Sequence, residues 1–183
     1  MHKNPMKFEN PIRITELDPI NTLKKIGIKS TDVVCDYGAG TGVFTIPAAS
    51  LTKNKVYAVD IDENMLSIVK RKIADQNIEN IIPIKVEDYD TGIETETVDL
   101  YLHVTVLHEM EDIEQFMIEV RRILKKDGHV MVIEFHKKET SYGPPVGERM
   151  SGYQAARHFL HANILYDSQY ELGENYYMLL LNN

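Results

Sequence analysis

The chain has 183 residues, a mass of 21.0 kDa, 43% hydrophobic and 26% charged residues, and a formal net charge of −8. That length fits one domain with a sizeable core and no separate substrate domain, and the composition excludes a disordered chain or a disulfide scaffold, since Cys35 is the single cysteine. Residues 61 to 120 hold 15 acidic and 4 basic side chains, a surface that repels phosphate backbones, so nucleic acid is not expected as a partner.

The opening MHKNPMKFENPIRITELDP carries no apolar run of the kind an export signal needs. The longest apolar stretches, such as 130–133 and 178–181, are strand-sized and far short of the roughly 20 residues of a membrane span. The expectation is a cytoplasmic protein without a membrane span. Residues 1–27 read as a cap segment, in which Arg13 and FENPIRITELDP can fold over a bound ligand or, up to Asn10, form a frayed terminus, and Leu17 to Ile26 form a short helix.

Apolar, β-branched runs predict strands at Asp32 to Cys35, Lys55 to Val59, Ile81 to Val86, Val98 to Val104 and His129 to Phe135, each followed by a stretch of helical character. That alternation argues for an α/β protein with a parallel sheet covered on both faces. Asp62 is placed to cap a helix through Met65, Leu66, Val69 and Ile73. Asp112 is placed to cap another through Ile113, Phe116, Met117, Val120, Ile123 and Leu124, with Lys125 to Gly128 as its stop. Thr140 to Gly152, with three glycines and two prolines, predicts irregular structure and a lid beyond the fifth strand. A helix around Glu148 to Ala162 is followed by strands at Ile164 to Leu172 and Asn175 to Leu181, whose separation by Gly173 and Glu174 predicts a hairpin and an antiparallel ending. No linker divides the chain, and residues 1–183 are read as one domain.

The sharpest local signal is Val33-Val34-Cys35-Asp36-Tyr37-Gly38-Ala39-Gly40-Thr41-Gly42, a buried strand running into an acid and three alternate glycines. The dinucleotide pattern GxGxxG would need glycine at 43, where Val43 stands, and the GK[ST] of a P-loop is absent. A carboxylate just before the first glycine suits a bound ammonium better than a pyrophosphate. The next strand ends at Asp60, 18 residues after Gly42, where a carboxylate can accept both hydroxyls of a ribose. The two sites together describe an adenosine joined to an amino acid.

Here the sequence resembles the class I S-adenosylmethionine-dependent methyltransferases, whose acid followed by GxGxG is matched by Asp36, Gly38, Gly40 and Gly42. IEFHKKETSYGPPVGERMSG looks most like the small ubiquinone/menaquinone methyltransferase-like branch, and LHEMEDIEQFMIEVRRILKKDG like the family's stretch after the fourth strand. Tyr37 departs from the family's more common aliphatic residue, and Lys126-Asp127-Gly128 from its Lys-Pro-Gly-Gly. The resemblance implies a Rossmann-like sandwich with sheet order 3-2-1-4-5-7-6, strand 7 antiparallel, and S-adenosylmethionine as cofactor. It implies a loop site of Asp36, Tyr37, Gly38, Ala39, Gly40 and Gly42, a ribose site at Asp60 with Ile61 and Met65 beside it, and Glu87 or Asp88 on the adenine side.

His103 at the end of the fourth strand, near the expected exit of the methyl group, joins both the cofactor set and the candidate catalytic set. His108 and His136 complete the latter, because histidine titrates near neutrality and can deprotonate an acceptor. For each of them a merely structural role stays open. No metal is expected, since His158 and His161 share a helix face without a completing Cys or carboxylate pattern. The acceptor is expected to be a small molecule, and a homodimer is allowed for. A non-catalytic S-adenosylmethionine-binding regulator and a nicotinamide-dependent oxidoreductase stay open as alternatives.

Overall fold

The structure, a computed structural model, describes residues 5–183; the first four residues of the expected cap segment lie outside the described residues. The seven strands form one sheet in the order β3-β2-β1-β4-β5-β7-β6. By compactness the chain divides after Thr91, with β1 to β3 before that point and β4 to β7 after it.

In the first unit, α1 (Pro11–Leu17) begins at Asn10, whose side chain accepts from the Ile12 amide, and stops where Asp18 turns left-handed. Pro19 then opens α2 (Pro19–Lys25), which is the helix expected over Leu17 to Ile26, whereas α1 before it was not expected and is separated from it at Asp18-Pro19. Strand β1 (Val34–Tyr37) is buried along its whole length and pairs in parallel with β2 (Val56–Asp60), which pairs in parallel with β3 (Ile81–Lys85). Helix α3 (Thr45–Leu51) follows the glycine loop, and α4 (Glu63–Gln76) starts at Asp62, whose Oδ1 accepts from the Asn64 amide as expected. No helix follows β3. Residues 86–97 are irregular, with acids at 87, 88, 90, 94 and 96 and Gly92 at φ +66°.

In the second unit, β4 (Val98–Val104) pairs in parallel with β5 (Leu124–Phe135), and α5 (Ile113–Ile123) lies between them in sequence. Asp112 caps α5 through the Gln115 amide, and Phe116, Met117, Val120 and Ile123 are buried on one face. The expected helix stop at Lys125 to Gly128 is already inside β5. The pairing jumps from Val98↔Leu124 to Leu100↔His129, so these charged residues bulge out of the ladder, which is why their pattern does not read as a strand.

Helix α6 (Gly152–His161) opens on a capping box in which Ser151 and Gln154 satisfy each other's amides. It is followed by the hairpin of β6 (Leu165–Leu172) and β7 (Tyr176–Asn182), with three connecting residues rather than two and Gly173 at φ +62°. β7 runs antiparallel to both β5 and β6.

The segment expected as a lid is an ordered loop built around Arg149. This guanidinium is buried; it donates to the carbonyls of Pro144, His136 and Lys138 and to Thr140 Oγ1 at 2.7–3.0 Å, and it lies 5.3 Å from the Phe135 ring centre. Tyr142 packs edge-on against Phe135 and Tyr176. Among the described residues no helix is long and apolar enough to cross a membrane.

Candidate active site

The glycine loop leaves β1 at Tyr37 and is held on β2, since the amides of Gly38 and Ala39 both donate to the Val59 carbonyl at 2.8 and 3.0 Å. Gly38, Gly40 and Gly42 have φ of +76°, +53° and +84°, a backbone that side-chain-bearing residues rarely adopt. The structure places Asp36 and Tyr37 at the end of β1, Ala39 in the loop, Asp60 at the end of β2 and bonded to the loop, Ile61 next in the chain, and Met65 in α4.

Asp36 is 2% exposed inside β1, and its Oδ2 accepts from Thr45 Oγ1 at 2.5 Å. That hydroxyl, one turn into the fold beyond the loop, is what lets a strand run on through an acid where the sequence pattern ends it at Cys35. No cation pairs with Asp36 among the described residues. Burial raises its pKa to about 7, Asp60 adds to the rise, and Thr45 opposes it. A carboxyl group in this state is well matched to an incoming ammonium, which would replace the missing cation.

Asp60, at the carboxyl end of β2, accepts from the Gly40 amide at 2.7 Å through Oδ2 and from the Asp62 amide at 2.9 Å through Oδ1. A carboxylate at the carboxyl end of this strand has the chemistry to accept from ribose hydroxyls. Ile61 beside it is 67% exposed, a branched apolar surface next to the carboxylate, whereas Met65 is buried within the first turn of α4. Glu87 and Asp88 stand exposed just past β3, Glu87 3.3 Å from Lys85. The donor set thus fits a ligand with a cationic amino-acid end, a ribose and an aromatic base.

The N-terminal segment lies on the loop. The Phe8 ring comes within 3.9 Å of where a Gly40 side chain would start, and Glu9 Oε1 accepts from Thr41 Oγ1 at 2.6 Å and from Lys72 Nζ at 2.8 Å. Lys72 also donates to the Thr41 carbonyl at 2.8 Å. Burial acts to raise the Glu9 pKa, but the bonds from Lys72 and Thr41 outweigh it and hold the group below its ordinary value. Thr45, Glu9 and Lys72 were not visible as site residues in the sequence, because their spacing to the loop follows no local period.

The three histidines occupy different settings in the second unit. His103 is the penultimate residue of β4, at the end of the strand as expected. It is fully buried in β4, its ring 4.9 Å from Phe116 and 6.3 Å from Tyr101, a place in the aromatic core. His136 pairs through Nε2 with Glu171 Oε2 at 2.7 Å and leans on Tyr177. His108 follows β4 in a short 3-10 turn (Leu107–Glu109) and puts Nδ1 2.8 Å from Oε2 of Glu134, a buried residue of β5 that the sequence reading passed over as part of an apolar run. Among the described residues no cluster of His, Cys, Asp and Glu is arranged to hold a metal ion.

Residues 35–132 match the methyltransferase domain family, which is more than half of the chain, and the chain belongs to that family of class I S-adenosylmethionine-dependent methyltransferases. It is 30% identical over 114 residues to a demethylmenaquinone methyltransferase from Lactobacillus johnsonii, covering 61% of this chain and 47% of that protein. It is 26% identical over 123 residues to the ubiquinone/menaquinone biosynthesis C-methyltransferase UbiE of a Marinomonas species, covering 66% and 49%. The chain therefore spans about half the length of the curated relatives it matches. A crystal structure of an S-adenosylmethionine-dependent methyltransferase from Aquifex aeolicus superimposes with a TM-score of 0.91 at 25% identity, over 98% of both chains.

Proposed function

We propose that this protein transfers a methyl group from S-adenosylmethionine to a small-molecule acceptor, and that the acceptor is an electron-rich ring of the quinol type. The observation that carries the cofactor half is the pair formed by buried Asp36, which lacks a cation, and Asp60, which holds the glycine loop through Gly40. The quinol half rests on the names of the two quinone-methylating relatives.

When bound, S-adenosylmethionine supplies a methyl group on a sulfonium sulfur that departs as a neutral thioether. Asp36 takes the ammonium of the amino-acid end, and Asp60 takes the ribose hydroxyls while keeping the loop in its left-handed turns. Ile61 would lie against the adenine, and Glu87 or Asp88 would accept from its amino group. The protein's task is to orient this ligand and to exclude water.

Release of S-adenosylhomocysteine on mixing the protein, S-adenosylmethionine and 1,4-dihydroxynaphthalene under reducing conditions tests the proposal. Turnover supports it. Tight cofactor binding without turnover on this or a broad set of phenols and thiols would favour a non-catalytic regulator.

A further inference from the structure

We propose that Glu134 and His108 form an acid–base dyad in which Glu134 fixes the imidazole and His108 Nε2 takes the proton that the acceptor loses. The proposal rests on the methyl-transfer reading above and adds to it the class of acceptor, one that gives up a hydroxyl proton.

Glu134 is 1% exposed in the middle layer of a sheet, a costly place for a carboxyl group unless it is fully engaged. It is engaged twice, and on one short loop. Oε1 accepts from the Leu107 amide at 2.8 Å and Oε2 meets His108 Nδ1 at 2.8 Å. A loop brace would need only the first bond. The second fixes a proton, because a carboxylate can only accept: Nδ1 carries a hydrogen, and in the neutral ring Nε2 is then the basic nitrogen.

The surroundings suit the charge that follows. Glu109 Oε1 lies 3.8 Å from His108 Nε2, so the imidazolium formed on proton transfer sits between two carboxylates. Tyr177 pairs with Glu134 across the β5–β7 ladder; burial and then the Glu134 charge raise its pKa, and its hydroxyl donates to the Met150 carbonyl, so it stays protonated and does not compete. Phe135 closes the ring's side edge-on. His108 lies just beyond the carboxyl end of β4, and Glu134 is the residue before the last of β5, the edge at which open α/β sheets present their ligand-binding groups.

The step balances as follows. The hydroxyl proton of the quinol passes to Nε2, a ring carbon of the resulting phenolate attacks the methyl carbon with a π-electron pair, and the hydrogen on that carbon is then lost as a proton to solvent as the ring regains aromaticity. The pair of the broken carbon–sulfur bond stays on the departing sulfur, and the imidazolium later returns its proton to solvent.

Nitrogen-15 NMR of histidine-labelled protein tests the dyad without any acceptor. The expected wild-type signal of His108 is the tautomer with hydrogen on Nδ1. Glu134→Gln should invert it, since a carboxamide that still accepts from Leu107 can only donate to Nδ1. An Nε2–H tautomer in the wild type, or the same tautomer in both proteins, would overturn the proposal.

With 1,4-dihydroxynaphthalene as probe, Glu134→Gln and His108→Gln should each lower kcat by about a hundredfold or more and displace the acidic limb of the pH–rate profile, with the dissociation constant for S-adenosylmethionine within twofold of wild type. Unchanged kcat in His108→Gln contradicts the dyad even if Glu134→Gln does not fold. If the wild type leaves the naphthalenediol unmethylated, the quinol reading fails, and the tautomer measurement decides the dyad alone.

Discussion

Gly40 donates its amide hydrogen to Asp60 Oδ2 at 2.7 Å, so the carboxylate placed to bind the ribose also braces the loop placed to receive the rest of the cofactor. The link joins the carboxyl ends of β1 and β2 through one buried side chain. It also explains why an acid is tolerated there at 9% exposure, since both its oxygens meet backbone amides.

Asp60→Ala is expected to weaken S-adenosylmethionine binding by about 2 to 3 kcal/mol, roughly a hundredfold, as charge-assisted bonds to ribose are lost together with the loop's support. Calorimetric titration of the folded variant checks this. Because the Gly40 and Asp62 amides also lose their acceptor, urea denaturation should show a stability loss of about 1 to 3 kcal/mol in the absence of ligand.

Gly40→Val combines a β-branched residue with φ of +53° and brings new methyl groups toward the Phe8 ring. The expected outcome is a folded protein, destabilised by about 1 to 3 kcal/mol, without measurable S-adenosylmethionine binding. Normal affinity in that variant would mean that the loop does not hold the cofactor.

Lys72→Met should remove one of the two bonds to Glu9 and the bond to the Thr41 carbonyl while leaving global stability within about 1 kcal/mol, because the Lys72–Glu9 pair is partly exposed. Hydrogen exchange should rise at residues 8–14 and stay unchanged in β1 and β2. Equal protection in both proteins would show that the Glu9–Thr41 bond and the Phe8 contact hold the segment without Lys72.

The strand succession, both aspartate caps, the hairpin and the glycine loop were legible in the sequence because each depends on a local period or on a residue type with a conformational preference. The misses share a physical cause. Asp36 extends β1 beyond its apolar run only because Thr45, nine residues on, satisfies it, and β5 begins early only because Lys125 to Gly128 bulge from a ladder set by β4. Glu134 was hidden inside an apolar run, since its partners, the Leu107 amide and the His108 ring, come from the distant loop after β4. The anchoring of the glycine- and proline-rich segment by Arg149 was not legible either, because no spacing rule connects that residue to residues 136–144.

The raised pKa of Asp36 also sets a stability profile. Burial, with Asp60 adding to it, moves the group from its ordinary 3.8 to about 7, so between these values the folded chain binds more protons than the unfolded one. This group's contribution to stability therefore falls as pH rises from about 4 to 7 and is level above. Denaturation midpoints of wild type and Asp36→Asn should converge toward acid and diverge toward neutrality, with the variant the more stable at pH 7.

The account's central claim, that Asp36 and Asp60 hold S-adenosylmethionine by its ammonium and its ribose, is tested most directly by calorimetric titration with that cofactor at pH 7 and pH 5.5, in two buffers of different ionisation enthalpy. An ammonium favours the ionised carboxylate, so below about pH 7 binding must expel the Asp36 proton. The predicted result is one-to-one binding that weakens on the order of tenfold at the lower pH, with proton release to the buffer, and a loss of both effects in Asp36→Asn. Binding of equal strength at the two pH values without proton release, or undiminished binding in Asp36→Asn and Asp60→Ala, would contradict it.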